Sequence, residues 1–143
     1  MIPKDPSLYL MEADGSLSLR FLHCGQCAAL TFPANSYGCA KCGAPQDSGE
    51  IVSRPATGTL LEYVTVHAPL VKGIEPPFVV GDVLLAPGVV EEVVLDVQDE
   101  SSLAPGIDVE GRACPDPDGR HFECRFAPVA ATRKGGTQKG DAA

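Results

Sequence analysis

Long stretches free of both glycine and proline are what this sequence has least of. Only Val89–Ala104 runs for any distance without either residue. Gly (15) and Pro (13) make up about a fifth of the 143 residues, against roughly an eighth in ordinary proteins, and they are spread evenly. Long helices, coiled coils and helical bundles are thereby excluded. Runs of the ~18–20 apolar residues that a membrane-spanning helix needs are also missing. The opening residues, MIPKDPSLYLMEADG, lack the basic and apolar regions of a signal peptide. A soluble, cytoplasmic protein without a membrane partner is expected. Apolar residues at 44% and charged residues at 21% are normal for a packed core, so wholesale disorder is excluded as well.

Positive charge is the next scarcity. Lys plus Arg is 11 and Asp plus Glu is 19, a net −8. Arg133, Lys134 and Lys139 supply three of the bases and Asp141 one of the acids, so residues 1–130 carry 8 against 18, a net −10. Binding to a phosphate backbone works through Lys and Arg displacing counterions. This body is a poor nucleic-acid surface and a poor match for anionic lipid. Phosphate-cradling loops are absent too: there is no GxGxxG and no GxxxxGK[ST].

What is present reads as short strands with turn punctuation. Leu17, Leu19 and Phe21 alternate with Ser18 and Arg20, a half-buried strand entered from an Asp14-Gly15 turn. Ser7–Glu12 would be its partner, making 1–23 an N-terminal hairpin. From Ile51 onward, strands are expected at 60–67, 78–85, 89–97, 107–114 and 121–127, the last two joined by a Pro-Asp-Pro-Asp-Gly turn. Five strands at this spacing predict a small closed sheet. The segment 89–97 is ambiguous, because Val89, Val90, Val93, Val94 and Val97 also fall on helical spacing. Valine is stiff at its first side-chain torsion and favours the pleated surface, so the reading is strand, then a helical turn at 100–104. Leu60, Val64, Val66, Val80, Val83, Leu85, Val94, Val109, Phe122 and Phe126 are the expected core. The tail 130–143 has no apolar periodicity and reads as flexible and basic.

The strongest signal is Cys24-Gly-Gln-Cys27, a spacer at 28–38, then Cys39-Ala-Lys-Cys42-Gly43. Each CxxC folds as a tight turn whose amides point at the thiolates, and two such turns complete a tetrahedral tetrathiolate site. Disulfides are the competing reading, disfavoured without an export signal. One structural zinc ion per chain, bound by Cys24, Cys27, Cys39 and Cys42, is expected. With no open coordination position, it would fold the segment and not activate water. Gly25 and Gly43 suit these turns; Ala28 is a less usual residue after the second cysteine. Rubredoxin-like iron is the alternative metal, and the short spacer weighs against it. Cys114 and Cys124 flank the 115–119 turn and read as buried thiols, with cross-strand contact left open. His23, His67 and His121 have no Ser or Cys partner at a triad spacing, and no catalytic residues are assigned.

The order of these parts resembles the acyl-CoA-associated zinc-ribbon/OB-fold family. It is carried by the cysteine ribbon together with Gly58-Thr59, Pro77-Phe78, Gly106 and Phe126-Ala127-Pro128, over roughly residues 17–129. The resemblance implies an all-β fold: a four-cysteine zinc ribbon at 24–50 followed by a five-stranded OB barrel at 51–129. It implies a non-catalytic subunit of a heteromeric thiolase-type complex, needed for assembly or substrate access of the catalytic subunit acting on acyl-CoA. Members commonly open with a helical docking segment, whereas here the start reads as a hairpin. Lys72, in the 68–77 loop, is the expected contact to the CoA phosphates. The alternatives are a stand-alone acyl-CoA binding protein or an OB-fold nucleic-acid module, the latter set against the acidic charge.

Overall fold

The computed structural model describes residues 1–129, so the tail expected at 130–143 lies outside the described residues. Two sheets make up the chain. Strand β1 (Ile2–Pro3) belongs to the larger one, while β2 (Tyr9–Met11), β3 (Leu17–His23), β4 (Leu30–Thr31) and β5 (Glu50–Pro55) form the smaller. The Asp14 carboxylate accepts the Ser16 N–H at 2.9 Å and Gly15 takes φ 89°, which closes the β2–β3 turn as expected. Leu17, Leu19 and Phe21 point into the core, and the buried Ser18 hydroxyl donates to Glu12 at 2.6 Å.

The barrel follows as β6 (Thr57–Val66), β7 (Phe78–Ala86), β8 (Val89–Leu95), β9 (Asp108–Pro115) and β10 (His121–Pro128). Around its circumference the order is β6, β7, β8, β10, β9 and back to β6, with β8–β10 the one parallel pairing among these five. This is the OB arrangement, and no barrel strand is left with an open edge along its whole length. β1 adds in parallel beside the start of β10, at His121 and Phe122. The valine-rich segment is a strand, followed by a 3-10 turn at Glu100–Ser102 whose Asp99 carboxylate accepts the Ser101 N–H.

Leu60, Val83, Val109, Phe122 and Phe126 are buried as expected, but Val64 is 56% exposed. The register of β6 against β7 shifts between Leu60 and Glu62. Such a bulge moves every later side chain to the other face. Tyr63 therefore turns inward, its hydroxyl donating to the Leu103 carbonyl at 3.2 Å. On β7 the inward set is Val79, Gly81 and Val83, so Val80 is only half-buried. A Cβ at Gly81 would sit 2.7 Å from Leu60 Cδ1, so that interior space is already filled.

The boundaries expected at 23/24 and 50/51 are displaced. β5 pairs with β3 as far as Pro55, inside the smaller sheet, and the chain changes sheets at Ala56. There the Ala56 N–H donates to the Leu17 carbonyl and the Gly111 N–H donates to the Ala56 carbonyl. Tyr9, Leu17, Leu19 and Phe21 share one apolar cluster with Leu60, Val109 and Phe122. The N-terminal hairpin is thus the wall of the ribbon that packs on the barrel, held by the Tyr9 ring 5.8 Å from that of Phe122.

Candidate functional site

β3 delivers Cys24 at its end, and β4 leads out of the first turn, so one CxxC sits on the strand pair β3–β4. The second is carried by a small loop closed by the Gly38–Pro45 bridge. The two turns repeat each other. The N–H groups of Gln26 and Cys27 donate to Cys24 Sγ at 3.3 and 3.4 Å, and those of Lys41 and Cys42 donate to Cys39 Sγ at 3.4 Å each. Ala28 N–H closes on the Cys24 carbonyl as Gly43 N–H closes on that of Cys39. Both closing residues are left-handed, Ala28 at φ 64° and Gly43 at φ 79°. The sequence pattern CxxC predicts all of this except that an alanine occupies the first left-handed position.

The structure brings together all four predicted ligands. Their Sγ atoms lie within 4.8 Å of one another, with Cys24–Cys42 at 3.6 Å and Cys27–Cys39 at 3.5 Å. Cys24 and Cys39 are buried and Cys42 is exposed. The Cys42 N–H, helped by that of Lys41, brings the Cys39 thiol down to about 6. Cys24 is lowered in the same way, chiefly by the Cys27 N–H. Cys42 moves oppositely: the Ala44 N–H works to lower it, yet the neighbouring sulfur of Cys24, burial, and the sulfurs of Cys27 and Cys39 push it up to about 12. Four thiols this close do not all shed their protons unless a cation shares the space. Two thiols primed by backbone amides, in a set of four converging sulfurs, fit one metal ion.

A residue that pattern reading passes over supports the site. Thr31 is buried, and its hydroxyl accepts the Ala40 N–H at 3.0 Å, tying β4 to the second turn. Gln46 does likewise by donating to the Ala34 carbonyl at 3.1 Å. Thr31 stands opposite the apolar Leu22 across β3–β4, a pairing that has no local signature in the sequence.

The remaining candidates stay apart. Cys114 lies opposite Glu123 and Cys124 opposite Ala113, one position out of register, so they do not face each other across the strands. Burial raises both thiols, Cys124 to about 12, which leaves them protonated and poor nucleophiles. His121 Nδ1 lies 2.6 Å from Asp118. That carboxylate is held at about 2 by the N–H groups of Arg120 and His121, a turn-closing arrangement. Lys72 is exposed on the 68–77 loop, which supplies no second cation. Among the described residues, no helix is long and apolar enough to cross a membrane.

No protein-family model and no curated protein matches the chain. Among solved structures, it is similar to a DUF35 chain of the Ltp2–ChsH2(DUF35) aldolase. The two are 25% identical, the match covers 78% of this chain and 85% of that one, and the TM-score is 0.61. The likeness is to a DUF35-type protein and covers most of both chains.

Proposed function

We propose that this chain is a non-catalytic accessory subunit of a heteromeric thiolase-type complex acting on acyl-CoA thioesters, carrying one structural zinc ion on Cys24, Cys27, Cys39 and Cys42. The observation that carries the reading is the likeness to the DUF35 chain of an aldolase in which that chain accompanies Ltp2. Aldolases and thiolases share the making or breaking of a carbon–carbon bond. In this reading that step belongs to the partner, and the small chain supports assembly or substrate access. The acyl-CoA substrate rests on the sequence resemblance, through the ribbon, Gly58-Thr59, Pro77-Phe78 and Phe126-Ala127-Pro128.

Four sulfurs suit zinc, which supplies a redox-inert cross-link. The chain's own residues do the rest of the structural work. The Gln26, Cys27, Lys41 and Cys42 amides stabilise the thiolates, and Thr31 locks one turn to the other. The barrel then presents a fixed surface to the partner. Lys72, exposed on the 68–77 loop, is assigned to the CoA phosphates in the assembled complex.

Purification of tagged full-length chain from its native cells tests the reading. A thiolase-type protein should co-purify, zinc should be present at one ion per chain, and acyl-CoA turnover by the partner should fall at least tenfold when this chain is withheld. Lys72→Gln should raise KM for the acyl-CoA and leave kcat unchanged. A partner fully active alone, or recovery without any thiolase-type protein, overturns the assignment.

A further inference from the structure

Lys41 and Arg54 are separated in sequence and belong to different parts of the ribbon, one in the second cysteine turn and the other on β5. Both line a single cleft between ribbon and barrel, together with His23 at the end of β3. The cleft has a volume of about 430 Å³ and is walled by Cys27, one of the four cysteines of the cluster, and by Ala28, Ala29, Leu30 and Pro87. It continues past Lys41 to Ala40 and Gly88, at the β7–β8 turn.

Three features set this cleft apart. Residues 1–130 carry a net −10, yet no carboxylate lines it among the described residues. The apolar slot further along the same seam, beside Leu19, Phe32 and Leu85, has Glu91, Glu92 and Glu123 in its lining. Second, Lys4, Arg112, Arg125 and His121 each face a carboxylate, whereas among the described residues Lys41, Arg54 and His23, like the scattered Arg20, Lys72 and Arg120, make no ion pair, and Lys41, Arg54 and His23 are gathered in one cleft. Third, Glu50, the cross-strand partner of His23 on β3–β5, lines the adjoining hollow with His23, Ser48 and Gly49 and not the cleft itself.

Cations left unpaired in a concave, carboxylate-free site select multivalent anions. A guanidinium offers phosphate a planar fork and an ammonium adds a point charge. Low-dielectric walls on two sides focus that field. We propose that the ribbon–barrel cleft binds a pyrophosphate-type group through Arg54 and Lys41, with His23 at its rim. The group has two sources, free inorganic pyrophosphate or the phosphate end of a CoA-like molecule, which would then take its phosphate contacts here and not at Lys72, a residue outside the cleft lining. The site belongs to this chain alone and does not depend on the partner reading. The competing account is charge compensation, since four thiolates around a divalent ion retain negative charge that Lys41 and Arg54 would offset. Compensation requires neither a cavity nor a lining without acids.

The test is an amide chemical-shift titration of metal-loaded full-length chain with sodium pyrophosphate at low ionic strength, against sodium chloride at matched ionic strength. Saturable shifts at Ala29, Leu30, Lys41, Arg54 and Gly88 are expected, absent with chloride. Arg54→Gln should weaken the apparent affinity about fivefold or more, as expected for losing one charged contact to a phosphate. Arg120→Gln, in the 116–120 turn outside the cleft, should leave it within about twofold. Arg54 lies outside the cysteine turns, so metal content measured on Arg54→Gln separates lost binding from a lost ribbon. A CoA titration that moves the same residues identifies the CoA-like source; pyrophosphate alone moving them identifies the free anion. Shifts no larger than those with chloride, or unaltered affinity in Arg54→Gln, overturn the proposal in favour of charge compensation. Neither result bears on whether a thiolase-type partner co-purifies.

Discussion

The cysteine turns and the barrel are held together by different forces. Around the sulfurs, the buried apolar set is Cys24, Cys39 and Ala44, with Cys27 and Ala29 packed against it. Around the barrel it includes Leu60, Val79, Val83, Val109 and Phe122, all five fully buried, and it extends into Tyr9, Leu19 and Phe21 of the ribbon's strands. A fully buried Leu, Val or Phe contributes roughly 1.5–3 kcal/mol, so the barrel and the β2–β3–β5 wall can stand on apolar burial. The cysteine turns cannot. The dividing line is therefore not between ribbon and barrel but within the ribbon, between its strands and its turns.

The largest effect should come from attacking the turns. Cys39→Ser, or removal of the metal by a chelator, should unfold residues 24–49, because structural zinc contributes on the order of 10–16 kcal/mol in small fingers. Amide spectra should lose dispersion for that segment while β6–β10 keep theirs. Loss of both together would mean that the turns and the barrel are one cooperative unit. The converse experiment strikes the shared core. Phe122 is fully buried against Tyr9, and Phe122→Ala should cost about 3–5 kcal/mol and take barrel and hairpin down in one thermal transition.

A third experiment tests which face of β6 belongs to the core. Val79→Asp would bury an unpaired carboxylate and should abolish folding, whereas Val64→Asp, on the exposed side of the bulge, should shift stability by no more than about 0.5 kcal/mol. Equal damage from both would place Val64 inside and remove the bulge.

These contrasts also mark where sequence suffices. The cysteine turns are legible because their geometry is local: two thiols, two intervening residues and the amides between them. The β10–β9 hairpin is legible for the same reason, from Pro115-Asp116-Pro117-Asp118-Gly119. The valine run at 89–95 is legible through side-chain stiffness, even against its helical spacing. The face of β6 is not. Leu60, Glu62 and Val64 share a parity, and only the bulge needed to close the barrel shows that Leu60 and Val64 part company. Two further features depend on distant segments meeting: the packing of the N-terminal hairpin on the barrel through Tyr9 and Phe122, and the convergence of Lys41 on Arg54. Neither has a local signature. Ala28 is partly legible, since alanine is an unusual residue to follow a CxxC, but its left-handed backbone emerges only when its turn is laid over that of Gly43.

That pair supplies the smallest and finest test of the turns. Gly43 has open space where a Cβ would go, so Gly43→Ala meets no clash and carries only the backbone penalty of a left-handed residue, about 1 kcal/mol. Because the turns fold with their metal, that penalty should be read as metal affinity weakened about fivefold in competition with a chelator. Ala28→Gly is the mirror change. It relieves the same penalty at φ 64° but gives back part of the gain, since glycine loses more conformational freedom on folding, roughly 0.5–1 kcal/mol. The net should be a gain of about 0.5 kcal/mol, a twofold tightening of metal binding, with the thermal transition of the barrel unmoved. Should Ala28→Gly weaken retention of the metal instead, the Ala28 methyl group must be packing against the ribbon strongly enough to outweigh the backbone term. The two cysteine turns would then differ in how they are held, although their hydrogen bonds repeat.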